Sequence, residues 1–217
     1  MRGCVFDLDG TLVNTLPTVH YFCNQSLAHF GLSPIPEDEC RKLCRLPIAT
    51  FYHRLLELGG CPKERVEALS APIRDYDLSI YLRNYRYLTQ PYPGITELLR
   101  ELRSRGAVTA VLTNKPAPVA ESLMADLFPG MFDLVRGQTP DTISKPDPRS
   151  LWDLLHDLKV EREECVYVGD TDVDMKTASS AGVLAAAATW GFQEREILLS
   201  FQPGFVADHP MDLLTLF

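Results

Sequence analysis

The sequence predicts an α/β fold, a Rossmann-like doubly wound parallel sheet with an inserted α-helical subdomain. In the later part of the chain, short apolar runs rich in β-branched residues alternate with helical patterns, which is typical of a parallel sheet covered by helices on both faces. Between the first apolar run and Pro93, about eighty residues pass without a convincing strand, which is too long for a simple crossover.

The predicted strands are short and apolar. They are Cys4–Phe6, Val108–Leu112, Phe132–Val135, Cys165–Val168 and Leu184–Thr189. The helices predicted between and after them have apolar residues at helical spacing, and they are Ile95–Arg105, Ala117–Leu127, Arg149–Leu158 and Val173–Ala181. Gly106 and Gly182 follow the first and the last of these helices, as glycine commonly does at a helix C-terminus.

The long interval after the first strand reads as an all-helical insert. Its predicted helices are Leu16–Phe30, Cys40–Leu58 and Arg65–Tyr87, separated by proline- and glycine-containing segments at 33–36 and 59–62. We therefore expect an α/β core of residues 1–14 and 91–217 and a helical cap of residues 15–90. The natural hinges lie near Asn14 and Gln90.

Composition excludes several classes of function. The chain has 217 residues, is 46% hydrophobic and carries a formal net charge of -8, which suits a packed globular protein and argues against general binding to nucleic acid or anionic membrane. No basic region precedes an apolar stretch at the start, so we expect no leader segment there, and no apolar run is long enough to span a membrane. The six cysteines lack paired zinc-ligand spacing, so we expect reduced thiols in a cytoplasmic protein.

Asp7 and Asp9 stand one residue apart where the first apolar run ends. An alternating strand would direct both carboxylates to the same side, with Leu8 pointing away. Two like charges held so close repel unless a cation joins them or one keeps a proton. The pair therefore indicates metal binding or a division of acid and nucleophile roles, and Gly10-Thr11 adds a turn with donors for an anion.

Polar side chains also follow the strand Val108–Leu112, where Thr113 and Asn114 place a hydroxyl and an amide. Ligands of open α/β sheets bind at the carboxyl ends of the strands, so both residues are candidates for phosphate binding. Taken alone, capping of the following helix is the more ordinary use of threonine and asparagine.

Lys145 lies in the segment Ser144-Lys145-Pro146-Asp147-Pro148, in which two prolines stiffen the backbone. A single lysine is usually a solvated surface residue. In this rigid setting it could instead be a positioned ammonium that balances carboxylates and binds a phosphoryl oxygen.

Asp170 and Asp174 follow the fully apolar strand Cys165–Val168 and share a helix face if a helix begins there. Oxygen ligands at this strand end would complete a Mg²⁺ site with Asp7, with waters in the remaining positions. A preference of acidic residues for helix N-termini explains Asp172 but not the whole group.

In their order along the chain, these four segments resemble the four motifs of the haloacid dehalogenase superfamily of phosphohydrolases, and the helical insert resembles its cap. The resemblance covers nearly the whole chain. Some stretches look most like the phosphoglycolate phosphatase branch: Tyr92-Pro93-Gly94-Ile95, Thr113-Asn114-Lys115-Pro116, Lys145-Pro146-Asp147-Pro148 and Ala188-Thr189-Trp190-Gly191.

The resemblance implies a role for each matching residue. Asp7 would attack phosphorus to form an aspartyl-phosphate, and Asp9 would act as general acid and then general base. Phosphoryl oxygens would be held by Thr113, Asn114 and Lys145. Mg²⁺ would be bound by Asp7, the Asp9 carbonyl and Asp170, with Asp174 supporting the site.

Two positions depart from the family pattern. Asn14 replaces a common aspartate, and Arg45 stands where many relatives have glycine in a cap loop. Arg45 could read an anionic group of the substrate or be an ordinary exposed arginine.

The implied substrate is a small phosphorylated metabolite, 2-phosphoglycolate first among candidates, and the protein would be a monomer or homodimer. A sugar phosphomutase, a pyrophosphatase and a nucleotidase use the same motifs and stay open. From another class, a phospho-acceptor signalling module shares the aspartates, threonine and lysine, but it does not explain Asp9 or the insert.

Overall fold

The computed structural model describes residues 1–46 and 48–217. Contacts divide the chain into two compact units, Met1–Asn14 with Gln90–Phe217, and Thr15–Thr89. Within the residues described, no helix is both long enough and apolar enough to cross a membrane. All six cysteines are free thiols.

The first unit contains the sheet structure. Its strands are β1 (Gly3–Phe6), β2 (Val13–Asn14), β3 (Gln90–Pro91), β4 (Val108–Pro116), β5 (Leu134–Gln138), β6 (Cys165–Gly169), β7 (Leu184–Ala188) and β8 (Phe205–Ala207). Six of them form one parallel sheet in the order β5-β4-β1-β6-β7-β8, and β2 pairs with β3 in an antiparallel ribbon.

The strand order places a topological switch at β1. From β1 the chain builds β4 and β5 on one side, and it then returns to build β6, β7 and β8 on the other side. Ligands of open α/β sheets bind beyond the carboxyl ends of the strands at such a reversal. The ends of β1, β4 and β6 are therefore the expected location of a site.

The helices of the two units are α1 (Leu16–His29), α2 (Glu37–Leu43), α3 (Ile48–Leu58), α4 (Lys63–Asn84), α5 (Ile95–Ser104), α6 (Ala117–Leu127), α7 (Arg149–Leu158), α8 (Asp172–Ala181) and α9 (Arg195–Ser200). Short 3₁₀ segments lie at Arg162–Glu164 and Pro210–Leu216.

Side chains on the central strands alternate between two cores. Val5 and Tyr167 pair in register and pack in a buried cluster with leucines of α7 and alanines of α8. Phe6 points to the opposite face and packs edge-on against Phe132, which in turn contacts Phe128 at the end of α6. Helices therefore pack on both faces of the sheet. This explains why the central strands carry apolar residues on both sides.

The second unit consists of α1, α2, α3 and α4. Its interior contains a buried carboxylate, Asp77, which accepts hydrogen bonds from the Ser26 hydroxyl at 2.8 Å and the Tyr52 hydroxyl at 2.9 Å. Burial raises the pKa of Asp77, and the two hydroxyl hydrogen bonds partly oppose that rise.

The structure confirms the α/β fold, and α6 and α7 have the predicted bounds. The single helix predicted over residues 40–58 is wrong, because α2 ends at Leu43 and α3 begins at Ile48. The sequence places Pro47 there, a residue that cannot donate the amide hydrogen bond of a continuous helix. The insert is also flanked by the two-residue strands β2 and β3, and the sequence patterns did not indicate β8 or α9.

Candidate active site

Strand β1 ends at Phe6, and Asp7 is the next residue. The expectation that Asp7 and Asp9 lie on an alternating strand is therefore wrong, because both follow the end of β1. The Asp7 amide donates to the Val168 carbonyl of β6 at 2.9 Å, which fixes the backbone between the two strands. The side chain is buried, and one carboxylate oxygen is 2.7 Å from the Lys145 ammonium. Burial raises the pKa of Asp7 to about 7, although Lys145 opposes the rise.

Lys145 is a buried cation that contacts two of the candidate aspartates. Its ammonium lies 2.7 Å from Asp7, 2.7 Å from Asp174 and 3.0 Å from the Tyr167 hydroxyl. Burial alone would lower the pKa of Lys145, but the two carboxylates outweigh it and raise the pKa well above its ordinary value. Lys145 is therefore a permanent positive charge, as a lysine that binds phosphate needs to be.

Asp170 lies just past β6 and is fully buried. One of its carboxylate oxygens accepts from the Thr11 hydroxyl at 2.7 Å, and the other accepts from the Phe192 amide at 2.8 Å. The Trp190 indole donates to the Thr11 carbonyl at 3.0 Å, so the loop after β7 and the turn after β1 hold Asp170 together. Burial, with the nearby carboxylates, raises its pKa well above the ordinary value.

Two glycines make room for the Asp170 side chain. A Cβ atom at Gly10 would lie 2.2 Å from an Asp170 carboxylate oxygen, and Gly10 also has a positive φ of 85°. A Cβ atom at Gly191 would lie 2.2 Å from the Asp170 Cβ. Both distances are far below van der Waals contact, so these positions require glycine.

Asp174 lies in the first turn of α8 and is also fully buried. One oxygen accepts from the amide and hydroxyl of Thr171 in a capping box, at 3.0 and 2.6 Å. The other oxygen faces Lys145 and the Tyr167 hydroxyl. Helix capping therefore orients the carboxylate toward the cluster.

Asp7, Asp170 and Asp174 together suit a hard divalent cation. One oxygen from each lies within 4.8 Å of the others, and all three residues are buried. Lys145 supplies one positive charge against three carboxylates, and burial, together with the neighbouring carboxylates, raises the pKa values of Asp7 and Asp170. An all-oxygen donor set with this excess negative charge fits Mg²⁺ or a similar ion.

Asp9 is held by a different lysine. The Lys115 ammonium contacts both Asp9 carboxylate oxygens, at 2.9 and 3.0 Å. The Lys115 side chain is 6% exposed, whereas the Asp9 side chain is 28% exposed. The repulsion expected within the aspartate pair is thus relieved by two lysines, one for each carboxylate.

The carboxyl end of β4 supplies Thr113, Asn114 and Lys115. Thr113 and Lys115 are buried and Asn114 is exposed, which is the alternation of a strand that runs on to Pro116. The alternative of helix capping is wrong for Thr113 and Asn114, because Pro116 occupies the N-cap position of α6. Thr113 instead accepts a hydrogen bond from the Lys115 amide at 3.2 Å.

Asn114 pairs with the main chain of Lys145. Its side-chain oxygen accepts from the Lys145 amide at 2.9 Å, and its side-chain nitrogen donates to the Lys145 carbonyl at 3.1 Å. This two-point contact fixes the backbone from which the Lys145 ammonium projects.

Arg45 belongs to the helical unit, where it lies between α2 and α3 and is half-buried. The remaining residues singled out from the sequence all lie in the first unit. There the structure brings Asp7, Lys145 and Asp174 into direct contact and places Asp170 in the same acidic cluster.

Lys115 and Tyr167 were not anticipated from sequence as contributors to this site. Lys115 follows Thr113 by two residues on β4, so both side chains lie on the same side of the strand. This spacing is the sequence feature that could have identified Lys115. Tyr167 gave no signal, because one tyrosine within an apolar strand reads as core.

The chain is similar to hydrolases along most of its length. Residues 4–188 match the family model described as haloacid dehalogenase-like hydrolase. The chain is 31% identical to the phosphoglycolate phosphatase of Synechococcus elongatus over 215 residues, which cover 99% of this chain and 96% of that protein. It is also 31% identical to the phosphoglycolate phosphatase of Aquifex aeolicus over 217 residues, covering 100% and 96% of the two chains.

Among solved structures, the fold is similar to a haloacid dehalogenase-like family hydrolase from Streptococcus pneumoniae. The TM-score is 0.86 at 25% identity, and the match covers 99% of this chain and 97% of that one.

Proposed function

Because the chain belongs to the haloacid dehalogenase-like hydrolases and is a phosphatase, we propose that it is a Mg²⁺-dependent phosphomonoesterase whose substrate is 2-phosphoglycolate. The observation that carries the proposal is the aspartate pair with its two lysines. Asp7 is buried against Lys145, and the more exposed Asp9 is held by Lys115.

In the first proposed step, an Asp7 carboxylate oxygen attacks phosphorus. A bond forms between Asp7 and phosphorus while the bond to the leaving oxygen breaks, and Asp9 donates its proton to that oxygen. The products are the free alcohol and an aspartyl-phosphate on Asp7. The greater exposure of Asp9 supports its assignment as the group that meets the leaving oxygen.

In the second proposed step, water attacks phosphorus. Asp9, now a carboxylate, takes a proton from the water, and the bond between phosphorus and Asp7 breaks to release phosphate. Asp7 returns as a carboxylate beside Lys145, and Asp9 regains its proton. Atoms and charges balance over the cycle.

The phosphoryl group would be held by charge and by hydroxyl donation. Lys145 offers an ammonium next to Asp7, and we place the Thr113 hydroxyl at the same strand edge as a second donor. Asn114 was a candidate for the same task, but its two-point contact supports a role in fixing the Lys145 backbone.

Asp7, Asp170 and the Asp9 carbonyl would hold the Mg²⁺ ion, with Asp174 supporting the site through Lys145 and the α8 cap. The bound ion would neutralise the charge that the phosphoryl oxygens carry in the transition state. The protein's own contribution is to keep the carboxylates rigid, through Thr11, Phe192 and the capping box.

The choice of 2-phosphoglycolate is supported by the names of the two curated relatives, both phosphoglycolate phosphatases. We propose that Arg45, in the helical unit, recognises the negative charge of the leaving group. The six free thiols also fit an enzyme of the reducing cytoplasm.

Asp7→Asn tests the nucleophile. We expect its Mg²⁺-dependent turnover to fall by at least about 10⁴-fold, because a catalytic group that acts as part of a unit cannot be bypassed. Asp153→Asn, at an exposed position of α7, is the matched control and should behave as wild type. Full activity in purified Asp7→Asn with an unchanged melting temperature would refute the nucleophile assignment.

A substrate panel tests the leaving group. Values of kcat/KM for 2-phosphoglycolate, pyrophosphate, sugar phosphates, phosphoserine and nucleotides should be highest for 2-phosphoglycolate. Arg45→Ala should raise KM for 2-phosphoglycolate and leave KM for p-nitrophenyl phosphate unchanged. A sugar phosphate converted to its isomer without release of phosphate would instead identify a mutase.

A further inference from the structure

The lysine at the end of β4 has no role in the two steps above, although it is buried and paired with one of the two reacting carboxylates. We infer that Lys115 is a positioning residue that holds Asp9 in the orientation needed to protonate the leaving oxygen. This inference rests on the proposed function, in which Asp9 is the general acid and base.

The difference in exposure indicates which partner meets the substrate. The Asp9 side chain is 28% exposed, but Lys115 is 6% exposed. The Lys115 ammonium contacts both oxygens of Asp9, so its contact with a reacting group is the one it makes with that carboxylate.

The contact with Lys115 restricts the orientation of the Asp9 carboxylate and leaves some of its lone-pair positions unused. The ammonium is nearly equidistant from the two oxygens, at 2.9 and 3.0 Å, so the ion pair restrains the direction in which the carboxyl group points. A carboxylate has about four lone-pair positions, so sites remain for water and for the leaving oxygen. The carboxyl group keeps acceptor capacity when protonated, so Lys115 can hold it in both steps.

The fold explains why the lysine reaches this position. Strand alternation along β4 puts Thr113 and Lys115 on its buried side and Asn114 on the other. One strand end thus serves two tasks, with Asn114 fixing the Lys145 backbone and Lys115 fixing Asp9. A buried ammonium also needs a nearby carboxylate to offset its desolvation, which keeps the two side chains together.

The test uses leaving groups that differ in their need for a proton. An alkyl leaving group such as that of 2-phosphoglycolate needs general-acid help, whereas p-nitrophenolate departs readily without it. Lys115→Met should therefore lower kcat/KM for 2-phosphoglycolate by roughly 100-fold, within the usual range for general acid–base catalysis. For p-nitrophenyl phosphate it should lower kcat/KM by only a few fold. kcat/KM reports the steps up to leaving-group departure, so the second step does not confuse the comparison.

Lys176→Met is the matched control. Lys176 forms an exposed ion pair with Asp172 at 2.6 Å on α8, so its loss should leave both substrates unaffected. If Lys115→Met does not fold, Lys115→Gln replaces it. Glutamine can donate one hydrogen bond to Asp9, and we expect a smaller loss with the same dependence on the leaving group.

A double-mutant cycle decides whether Lys115 acts through Asp9. In an Asp9→Asn background, Lys115→Met should cause little further loss with 2-phosphoglycolate, because the group being positioned is already gone. An equal loss for both substrates, an additive loss in the cycle, or no loss at all would overturn the inference. Failure of wild type to hydrolyse any phosphomonoester would instead overturn the proposed function, so the two failures are distinguishable.

Discussion

Thr11→Val should weaken Mg²⁺ binding without removing any proposed ligand. The Thr11 hydroxyl donates to an Asp170 oxygen at 2.7 Å, and both residues are fully buried. Valine keeps the shape of threonine but removes the donor. Because that hydrogen bond lowers the pKa of Asp170 against the effect of burial, its loss favours the protonated form, which is the wrong form for a cation.

The magnitude follows from the type of hydrogen bond. A short, buried hydrogen bond to a carboxylate contributes about 1.5–3 kcal/mol. Loss of a residue that orients a metal ligand costs about 10- to 100-fold in metal affinity. We therefore expect the Mg²⁺ dissociation constant of Thr11→Val to rise by about 10- to 100-fold.

Calorimetric titration with MgCl₂ measures this constant directly, without reference to turnover. Thr109→Val is the matched control, because the Thr109 hydroxyl is also buried and donates to the Met131 carbonyl at 2.6 Å, but at the opposite end of β4. Both variants should melt at a lower temperature than wild type, while only Thr11→Val should lose affinity. Equal Mg²⁺ affinity in the two variants would refute the reasoning.

Three further predictions concern other buried contacts. Gly191→Ala should weaken Mg²⁺ binding more than Thr11→Val in the same titration, because the added Cβ would lie 2.2 Å from the Asp170 Cβ and must displace it. Tyr167→Phe removes a hydroxyl 3.0 Å from the Lys145 ammonium and should lower the melting temperature by about 2–8 °C. Burial raises the pKa of Asp77 in the folded protein. The protonated carboxyl group therefore makes its full contribution to stability below the unfolded pKa of about 4, and this contribution is lost as the pH rises through the pKa of the folded protein. Asp77→Asn should therefore gain stability relative to wild type as pH rises from 4.5 to 8, and a constant difference in melting temperature would contradict this.

The sheet and most helices of the first unit were predictable because their patterns are long and regular. Helix α7 buries leucines at helical spacing, and α6 begins directly after a proline, so both have the predicted bounds. Helix α9 has six residues and β8 has three, which is too short for periodicity to register. The sequence prediction joined α2 and α3 into one helix because apolar residues continue at helical spacing from one to the other, whereas α2 ends at Leu43 and α3 begins at Ile48.

The site residues were predictable where a polar side chain directly follows an apolar strand. Asp7, Thr113 and Asp170 each follow an apolar run, and parallel strands bring such ends together. The roles of Asn114 and Lys115 depend on contacts with residues 31 and 106 positions away in sequence. Composition and periodicity carry no information about such pairings, and a lysine is ordinarily expected in solvent.

Asp7 and Asp9 differ in the lysine that each contacts, and the sequence does not show this difference. Lys145 is shared by Asp7 and Asp174 inside a buried acidic cluster, so its charge stabilises the group that we assign as nucleophile. Lys115 contacts both Asp9 oxygens, and the Asp9 side chain stays 28% exposed. Removing Lys145 should therefore impair phosphoryl transfer whatever the leaving group, because the charge beside Asp7 is needed in every case. Removing Lys115 should matter in proportion to how much the leaving oxygen needs a proton. The dependence of rate on the leaving group thus separates the two lysines, although both are buried ammonium groups paired with neighbouring aspartates.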